Sequence, residues 1–370
     1  MNSPSVLCYI TGHGFGHLAQ AAEVLIALAR RWPTSRFTVA TSLPESVVRR
    51  RIEAGIHADR LHVVAEPTGA DIGMRMFDAV TVDVAASRQA YDEILANWET
   101  HIATLRRQIA SLRADLVLSN IAFLPLEAAQ RAGLPAIAFC SLDWASIHAR
   151  YCAELPGDKV VQRKLIDAYN RADAFIQLTP HLDMPLFERR HSVAPVGRRG
   201  THRRAALREA TQCGDKLLGL VAMGGMPVSI PYEHWPRQAE LHWIISGEQP
   251  QRDDMVRAET LGFAFEDLLA SADFVVSKTG YGISVEAALN ATPILYLPRP
   301  DWPEEPGLLH WNQKHNRTGV IDRDQLKRGD LPPAYLAALR QPAPAPLKAS
   351  GAEDASRIIA SLLRTTLTDT

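Results

Sequence analysis

Short apolar runs and amphipathic stretches alternate along the first half of the chain. Continuous apolar runs of this length are typical of strands buried in a parallel sheet, and spacing of three to four residues is typical of helices. The predicted strands are Val6–Ile10, Phe37–Ala40, Leu61–Ala65, Leu116–Leu118, Ala136–Phe139 and Ala174–Leu178. The predicted helical stretches are Leu18–Trp32, Val82–Leu112 and Leu124–Ala132. This alternation indicates βαβ units.

The pattern stops at Ala194–Arg204, which mixes proline, glycine and arginine, and then begins again. The second set of strands is Leu217–Ala222, Leu241–Ile245, Phe274–Val276 and Ile294–Leu297. The second set of helices is Phe265–Ala270, Ser284–Leu289 and Asp354–Leu363. Leu331–Pro346 reads largely as a linker, with one short helix at Tyr335–Leu339.

The restart predicts an α/β protein with two Rossmann-like, doubly wound domains. We place an N-terminal domain at 1–195, a C-terminal domain at 196–345, and a linker and helix at 346–370, for which packing on the N-terminal domain is one arrangement. The length of 370 residues agrees with two domains, since a single core rarely grows beyond roughly 250–300 residues. Ligands of doubly wound sheets bind beyond the carboxyl ends of the strands.

Composition narrows the function classes. The formal net charge is −1, which predicts no general attraction to nucleic acid or to anionic membranes. The four cysteines are far apart, which disfavours a structural zinc site and fits a reducing cytoplasm. No apolar run is long enough to span a membrane, and the N-terminus does not resemble a signal peptide. We expect a cytoplasmic protein, with peripheral membrane contact left open.

The first candidate site is the turn Gly12–His17, which follows a predicted strand and opens a predicted helix. Its glycines, among them Gly14 and Gly16, allow a sharp turn and close approach of a ligand to the backbone. The spacing departs from a dinucleotide-binding loop, so a nicotinamide site is disfavoured. His13 and His17 are the candidate catalytic residues, because imidazole accepts protons near neutral pH. The alternative is that both only brace the turn.

The second candidate site is Thr279–Glu286, which follows the strand Phe274–Val276. Main-chain amides at the start of a helix favour an anion such as a diphosphate. Glu286 is expected in the first helical turn, where its carboxylate is able to accept two hydrogen bonds from a ribose diol. The alternative role for Glu286 is stabilisation of a helix N-terminus.

The block Ala272–Leu289, with the following Pro293–Pro298, resembles the donor-binding half of GT-B glycosyltransferases. In style it is similar to the family of the peptidoglycan lipid-intermediate N-acetylglucosaminyltransferase (glycosyltransferase family 28-like). That resemblance implies two domains facing a central cleft. It also implies that Glu286 binds the nucleotide ribose and that the turn binds the diphosphate. The donor-binding residues that it implies are Gly224, Gly225, Phe263, Ala264, Thr279, Gly280, Gly282, Ile283, Glu286, Gln313, Asn316 and Arg198.

The N-terminal turn is similar to the same family's glycine-rich loop, which ends on a catalytic or acceptor-binding histidine. The string Thr11–His17 also resembles the glycosyltransferase-like part of plant arabinokinases. On this resemblance His17 is the catalytic or acceptor-binding histidine, beside the candidate His13, and Gly14, Gly16, Asp143 and Trp144 lie on the acceptor side. For Asp143 and Trp144, a helix cap beside a packed aromatic ring is the alternative.

These observations predict a glycosyltransferase that moves a sugar, with inversion, from a nucleoside-diphosphate sugar to an acceptor hydroxyl. The donor is expected to be UDP-linked, and the acceptor is a small molecule, a lipid-linked compound or a glycan. We expect neither a cofactor nor a metal ion. Two alternatives stay open: a nucleotide-sugar hydrolase or 2-epimerase on the same fold, and a non-catalytic nucleotide-sugar binding module. The sequence has no GxSxG elbow and no P-loop, which disfavours a serine hydrolase and a P-loop phosphotransferase.

Overall fold

The computed structural model describes residues 3–67, 71–152, 157–224, 230–247, 252–339, 344–345 and 347–368. The chain divides into two compact units. Unit 1 comprises Met1–Phe77, Val82–Val196 and Ser350–Thr370, and unit 2 comprises Asp78–Thr81 and Gly197–Ala349. Each unit has one parallel sheet covered by helices.

Unit 1 contains a seven-stranded sheet with the order β3-β2-β1-β4-β5-β6-β7. Every neighbouring pair in this sheet is parallel. The strands are β1 (Ser5–Ile10), β2 (Arg36–Thr41), β3 (Leu61–Ala65), β4 (Leu116–Asn120), β5 (Ala136–Cys140), β6 (Ala174–Leu178) and β7 (Arg190–Val193). The order changes direction at β1 and β4, and in such sheets ligands bind beside that change, at the carboxyl edge of the strands.

The helices of unit 1 connect these parallel strands. In chain order they are α1 (Phe15–Arg31), α2 (Glu45–Ile52), α3 (Val84–Ala96), α4 (Trp98–Ser111), α5 (Leu124–Arg131), α6 (Trp144–Cys152) and α7 (Asp158–Asn170). Helix α1 directly follows the glycine turn after β1, so its N-terminus lies at the carboxyl edge of the sheet. Nine apolar residues of α1 are buried, which fixes this helix against the sheet: Leu18, Ala21, Ala22, Val24, Leu25, Ile26, Ala27, Leu28 and Ala29, with Gln20 as a buried polar neighbour.

Unit 2 contains a six-stranded parallel sheet with the order β10-β9-β8-β11-β12-β13. Its strands are β8 (Leu217–Val221), β9 (Leu241–Ile245), β10 (Met255–Arg257), β11 (Phe274–Lys278), β12 (Ile294–Leu297) and β13 (Thr318–Val320). Its helices are α8 (Arg204–Thr211), α9 (Phe265–Ser271), α10 (Tyr281–Leu289), α11 (Glu305–His315), α12 (Arg323–Arg328) and α13 (Pro333–Ala338). The order changes direction at β8 and β11, and the glycine turn Thr279–Gly280 follows β11.

The last helix, α14 (Gly351–Thr368), returns to unit 1 and packs on α1. Arg30 forms an ion pair with Glu353 at 3.2 Å, and the main-chain N–H of Gly351 donates to the carbonyl of Pro195. The close approach at Gly351 excludes a side chain, since a Cβ there lies 1.9 Å from the Ala194 carbonyl oxygen. Unit 1 therefore combines both ends of the chain.

The predicted central strands are confirmed, and four of them have the bounds that the structure shows: Leu61–Ala65, Ala174–Leu178, Leu241–Ile245 and Ile294–Leu297. The strands β7, β10 and β13 were not predicted. They are short edge strands of three or four residues. Three of the four residues of β7 are exposed. Continuous apolar runs mark only strands that are buried on both faces. Among the described residues, no helix is long and apolar enough to cross a membrane.

Candidate functional site

The first candidate region lies at the carboxyl edge of the sheet in unit 1. Gly14 has φ 111° and precedes α1, a conformation that favours glycine. His17 is the third residue of α1, as predicted at a helix start, and is 8% exposed. Its Nδ1 lies 2.7 Å from Oδ1 of Asn120, the last residue of β4. The fold thus brings together two side chains that are 103 residues apart.

His13 lies in the same turn but has a different environment. Its Nε2 lies 3.1 Å from the carbonyl oxygen of Ile72. A carbonyl oxygen only accepts hydrogen bonds, so Nε2 of His13 carries the proton in this contact. The contact holds the neighbouring Gly73 close to the imidazole, since a Cβ at Gly73 lies 2.2 Å from the His13 Cδ2. This geometry favours a structural role for His13 over a role as a base.

Trp144 and Asp143 follow β5 and also lie at this edge. The Trp144 ring is 5.0 Å from the His13 ring and 6.0 Å from the His17 ring, between centroids. Asp143 is fully buried and its Oδ1 accepts from the main-chain N–H of Ser146 at 2.7 Å, so it caps α6. Burial raises the pKa of Asp143 to about 6. Trp144 thus borders the two histidines, and Asp143 holds the helix that carries it.

Two carboxyl groups in unit 1 were missed by the sequence analysis. Glu66 directly follows β3, and burial, together with the charge of Asp71, raises its pKa to about 8. Burial also raises the pKa of Asp71 to about 6, while contacts with Thr11 and Trp144 act in the opposite direction. Each is an isolated acidic residue in a loop of the sequence, where nothing indicates that the two lie close together.

The second candidate region lies at the carboxyl edge of the sheet in unit 2. Helix α10 begins at Tyr281, three residues earlier than predicted, so Gly282 and Ile283 belong to its first turn. The first N–H groups of a helix lack partners within that helix and attract anions. Here Ser284 N donates to Gly280 O at 3.1 Å. Glu286 lies in the second turn of α10, not in the first as predicted, because the helix starts earlier.

The Glu286 side chain is 2% exposed and is oriented by the segment that enters unit 2. Its Oε1 accepts from the main-chain N–H of Arg198 at 3.2 Å. Gly197 allows this approach, because a Cβ there lies 3.2 Å from the Glu286 Cγ. The Arg198 guanidinium donates to Glu266 Oε1 at 2.8 Å. Arg198 therefore lies beside Glu286 with much of its charge neutralised by Glu266.

Thr279 is completely buried and its hydroxyl is used inside the protein. It donates to Glu305 Oε2 at 2.7 Å and lies 3.3 Å from the carbonyl oxygen of Leu297. The main-chain N–H of Arg299 also donates to Glu305 Oε2. Thr279 thus joins the end of β11 to the end of β12 and to the start of α11. The predicted donor-binding residue has an evident structural role.

Two cations at this edge were not predicted. Lys278, the last residue of β11, has a pKa lowered to about 7, chiefly by burial and then by the charge of Arg299. Its Nζ donates to the carbonyl of Ala79 at 3.3 Å. The Arg299 guanidinium lies 4.0 Å from the centroid of the Trp302 ring and is 7% exposed. A lysine that ends an apolar strand directly before a glycine turn is a signal that indicates such a site.

The remaining predicted donor residues have varied positions. Gly224 has φ 76° after β8, where an added Cβ would lie 3.4 Å from the Lys278 Cε. Gly225 lies outside the described residues. Gly224, Lys278 and Gly280 thus lie at the carboxyl edge of this sheet.

Phe263 and Ala264 precede α9. The Phe263 ring lies 4.6 Å from the Arg203 guanidinium, and the Ala264 carbonyl accepts hydrogen bonds from the first turn of α9.

Gln313 and Asn316 are not brought to this edge. Asn316 Nδ2 donates to the carbonyl of Thr292, which precedes β12, so Asn316 lies at the amino edge of the parallel sheet. Gln313 is exposed and lies eight residues beyond the start of α11, roughly 12 Å along the helix. The spacing Gln-x-x-Asn here belongs to the end of a helix.

Across the described ranges, no group of three or more His, Cys, Asp or Glu side chains has an arrangement that could hold a metal ion.

The chain matches no protein-family model. It is 25% identical to an L-arabinokinase of Arabidopsis thaliana over 334 residues, which are 89% of this chain and 31% of that protein. The chain therefore spans about a third of the relative's length. The predicted resemblance to plant arabinokinases is confirmed by this similarity.

Solved structures resemble the whole chain at low sequence identity. The glycotransferase of kitacinnamycin has a TM-score of 0.60 and 16% identity, over 99% of this chain and 96% of that one. The calicheamicin glycosyltransferase CalG4 has a TM-score of 0.55 and 15% identity, over 99% and 95%. UGT89C1 of Arabidopsis thaliana, complexed with UDP, has a TM-score of 0.58 and 15% identity, over 97% and 100%.

These similarities agree with the two parallel sheets and their helices. The narrower resemblance to the peptidoglycan glycosyltransferase family stays a prediction. The fold predicted from the sequence is confirmed: the chain has the two-domain α/β architecture of GT-B glycosyltransferases.

Proposed function

We propose that this protein is a glycosyltransferase that moves a sugar from a nucleoside-diphosphate sugar, UDP-linked, to an acceptor hydroxyl with inversion. The observation that carries the proposal is the position of Lys278. A cationic side chain lies at the carboxyl edge of the unit 2 sheet, beside Gly224 and directly before the turn that opens α10. Cations and helix N-termini are the groups that bind a diphosphate. A structural neighbour was solved with UDP.

On the donor side, we assign the diphosphate to Lys278 and the first amides of α10. Glu286, oriented by the Arg198 amide, binds the ribose diol. Phe263 and Ala264 bind the base, and Gly224, Thr279, Gly280, Gly282 and Ile283 shape the phosphate region. Helix amides and Lys278 stabilise the diphosphate as it leaves, so the proposal includes no metal ion.

On the acceptor side, we assign the general base to His17. The imidazole takes the proton of the acceptor hydroxyl, and the oxygen forms a bond to the anomeric carbon of the sugar. The bond from that carbon to the diphosphate breaks, and the diphosphate departs with the electron pair. Attack from the opposite face inverts the anomeric centre. In this assignment Trp144, whose ring lies 6.0 Å from the His17 ring, is beside the acceptor.

A thermal-shift screen against nucleoside-diphosphate sugars tests the donor assignment. A ligand that binds only the native state raises the melting temperature. We expect a UDP-sugar to raise it, and we expect Glu286→Ala and Lys278→Met each to weaken binding by at least about tenfold. Glu209→Ala, an exposed change on α8, is the matched control and should bind as the parent does. Unchanged affinity in Glu286→Ala would contradict the donor site.

Product analysis tests the reaction class. The stabilising donor is incubated with and without a panel of hydroxyl acceptors, and the nucleotide and the sugar products are separated. A glycosylated acceptor of inverted configuration, lost in His17→Gln, supports the proposal. Release of nucleotide and free sugar without acceptor identifies a hydrolase, and a donor of changed configuration identifies an epimerase. Binding without any turnover identifies a binding module.

A further inference from the structure

A chain of buried hydrogen bonds runs from His17 into unit 1. Nδ1 of His17 lies 2.7 Å from Oδ1 of Asn120, and Nδ2 of Asn120 donates to Oε1 of Gln20 at 3.0 Å. Nε2 of Gln20 in turn donates to Oγ of Ser141 at 3.1 Å. None of these four side chains is more than 8% exposed. The chain joins three elements: the start of α1, the end of β4 and the residue after β5.

The direction of these hydrogen bonds determines the tautomer of His17. Because Gln20 presents its oxygen, Asn120 turns its NH₂ group to Gln20 and its oxygen to His17. An amide oxygen only accepts, so Nδ1 of His17 must carry the proton. In a neutral imidazole the lone pair is then on Nε2.

We propose that Asn120, held by Gln20, is a positioning residue that keeps neutral His17 in the Nδ1–H tautomer, so that Nε2 is the basic nitrogen. The inference rests on the proposed function in one respect, namely that the proton accepted by Nε2 comes from the acceptor hydroxyl. The geometry supports it independently, since Gln20 lies three residues after His17 and therefore on the same face of α1.

The partner is an amide, which makes this arrangement different from a histidine paired with a carboxylate. An amide orients the ring without adding a negative charge next to the imidazolium. Two further neutral side chains lie near His17: the Cys140 thiol, with Sγ 3.7 Å from Nδ1, and the Trp144 ring. The orienting hydrogen bond is therefore made by neutral groups.

The first experiment reads the tautomer without any substrate. Long-range ¹H–¹⁵N NMR of the full chain distinguishes a protonated from an unprotonated ring nitrogen, and His17→Gln identifies the signal. We expect a protonated Nδ1 and an unprotonated Nε2 in the neutral form. The opposite assignment, or an equal mixture of tautomers, overturns the proposal whatever the protein catalyses.

The second experiment changes the partners. Gln20→Leu should reduce the Nδ1–H population and lower kcat by about tenfold or more, with KM for the donor within about twofold. Asn120→Asp keeps an acceptor for Nδ1–H but adds a charge, so the His17 titration followed by NMR should move upward by about 1–3 pH units. A Gln20→Leu variant with the parental tautomer, or an Asn120→Asp variant with the parental titration, overturns the proposal.

A matched control exists in the same unit. The His148 Nδ1 lies 3.2 Å from Oε1 of Gln162, so Gln162→Leu also removes an amide partner of a buried histidine. It should alter the His148 signal and leave the His17 tautomer unchanged. If the parent shows the Nδ1–H tautomer but transfers no sugar, the proposed function fails while the positioning role stands. If transfer occurs with the other tautomer, the positioning role fails alone.

Discussion

Thr279 donates its hydroxyl hydrogen to Glu305 across 2.7 Å, although the two residues are 26 positions apart. Both side chains are at most 5% exposed. The contact connects the turn before α10 with the N-terminus of α11. The same carboxylate accepts from the Arg299 amide, so one buried carboxylate organises the end of β11 and the loop after β12.

Replacing Thr279 by Val should therefore destabilise unit 2. The substitution keeps the shape but leaves the buried Glu305 carboxylate without this donor, which costs about 1–3 kcal/mol in the free energy of unfolding. Urea denaturation measures the effect, and Thr201→Val, an exposed change, is the control. A loss below about 0.5 kcal/mol would show that Thr279 is not a structural residue.

The fold was largely predictable because its central strands are buried on both faces. Runs such as Ala174–Leu178 have five buried residues in succession, as expected for parallel strands covered by helices on both faces. Edge strands lack this mark: β7 reads Arg-His-Ser-Val and exposes its first three residues. Helix α10 was predicted too short because glycines at 280 and 282 looked like a turn, whereas Gly282 lies inside the helix.

Residues of the candidate site were predictable only where a short local sequence motif identifies them. His17 and Glu286 belong to local motifs. Asn120 and Lys278 could be recognised only from the pairing of strands in the sheets. Asn120, for example, is 103 residues from His17 in the sequence. Gln313 and Asn316 show the converse: their spacing matched a motif, but the parallel sheet places Asn316 at its amino edge.

The lowered pKa of Lys278 predicts a pH dependence of stability. Its pKa is about 7 in the folded protein against 10.5 as the ordinary value. Between these two values the unfolded chain binds more protons, so this lysine makes the free energy of unfolding rise with pH, by up to about 1.4 kcal/mol per pH unit. Lys278→Met should remove that rise, as measured by urea denaturation from about pH 7 to pH 10.

The control for this measurement is Lys327→Met, which removes an exposed lysine and should keep the parental slope. The affinity for a diphosphate ligand should change with pH in the opposite direction to the stability. A protonated Lys278 attracts a diphosphate, so UDP affinity should fall as the pH rises through about 7 in the parent but not in Lys278→Met. Parallel slopes for parent and variant in both experiments would refute the assignment.

Glu66 predicts a pH effect in the other direction. Its pKa is about 8 in the folded protein against 4.5 ordinarily. Between these values the folded protein binds more protons, so this group makes the free energy of unfolding fall as the pH rises. Glu66→Gln keeps the neutral shape and should be more stable than the parent at pH 8, with little difference near pH 4.5. Exposed Glu188→Gln is the control, and equal stability of Glu66→Gln and the parent at both pH values would contradict this prediction.

Gly73 and Gly133 provide a matched pair of substitutions in unit 1. Both have positive φ, 51° and 70°, so alanine at either position costs about 1 kcal/mol in backbone strain. At Gly133 an added Cβ meets nothing within 4 Å, whereas at Gly73 it lies 2.2 Å from the His13 Cδ2. Gly73→Ala must therefore also displace the His13 imidazole from its contact with Ile72.

We expect Gly73→Ala to lower the free energy of unfolding by at least about 1 kcal/mol more than Gly133→Ala, because overpacking adds to the strain. Denaturant titration measures this difference. Histidine NMR signals supply an independent readout: the His13 signals should move in Gly73→Ala and stay in place in Gly133→Ala. If the two variants are equally stable, the turn accommodates the added methyl group near His13 with no loss in the free energy of unfolding. A bracing role for this histidine is then excluded.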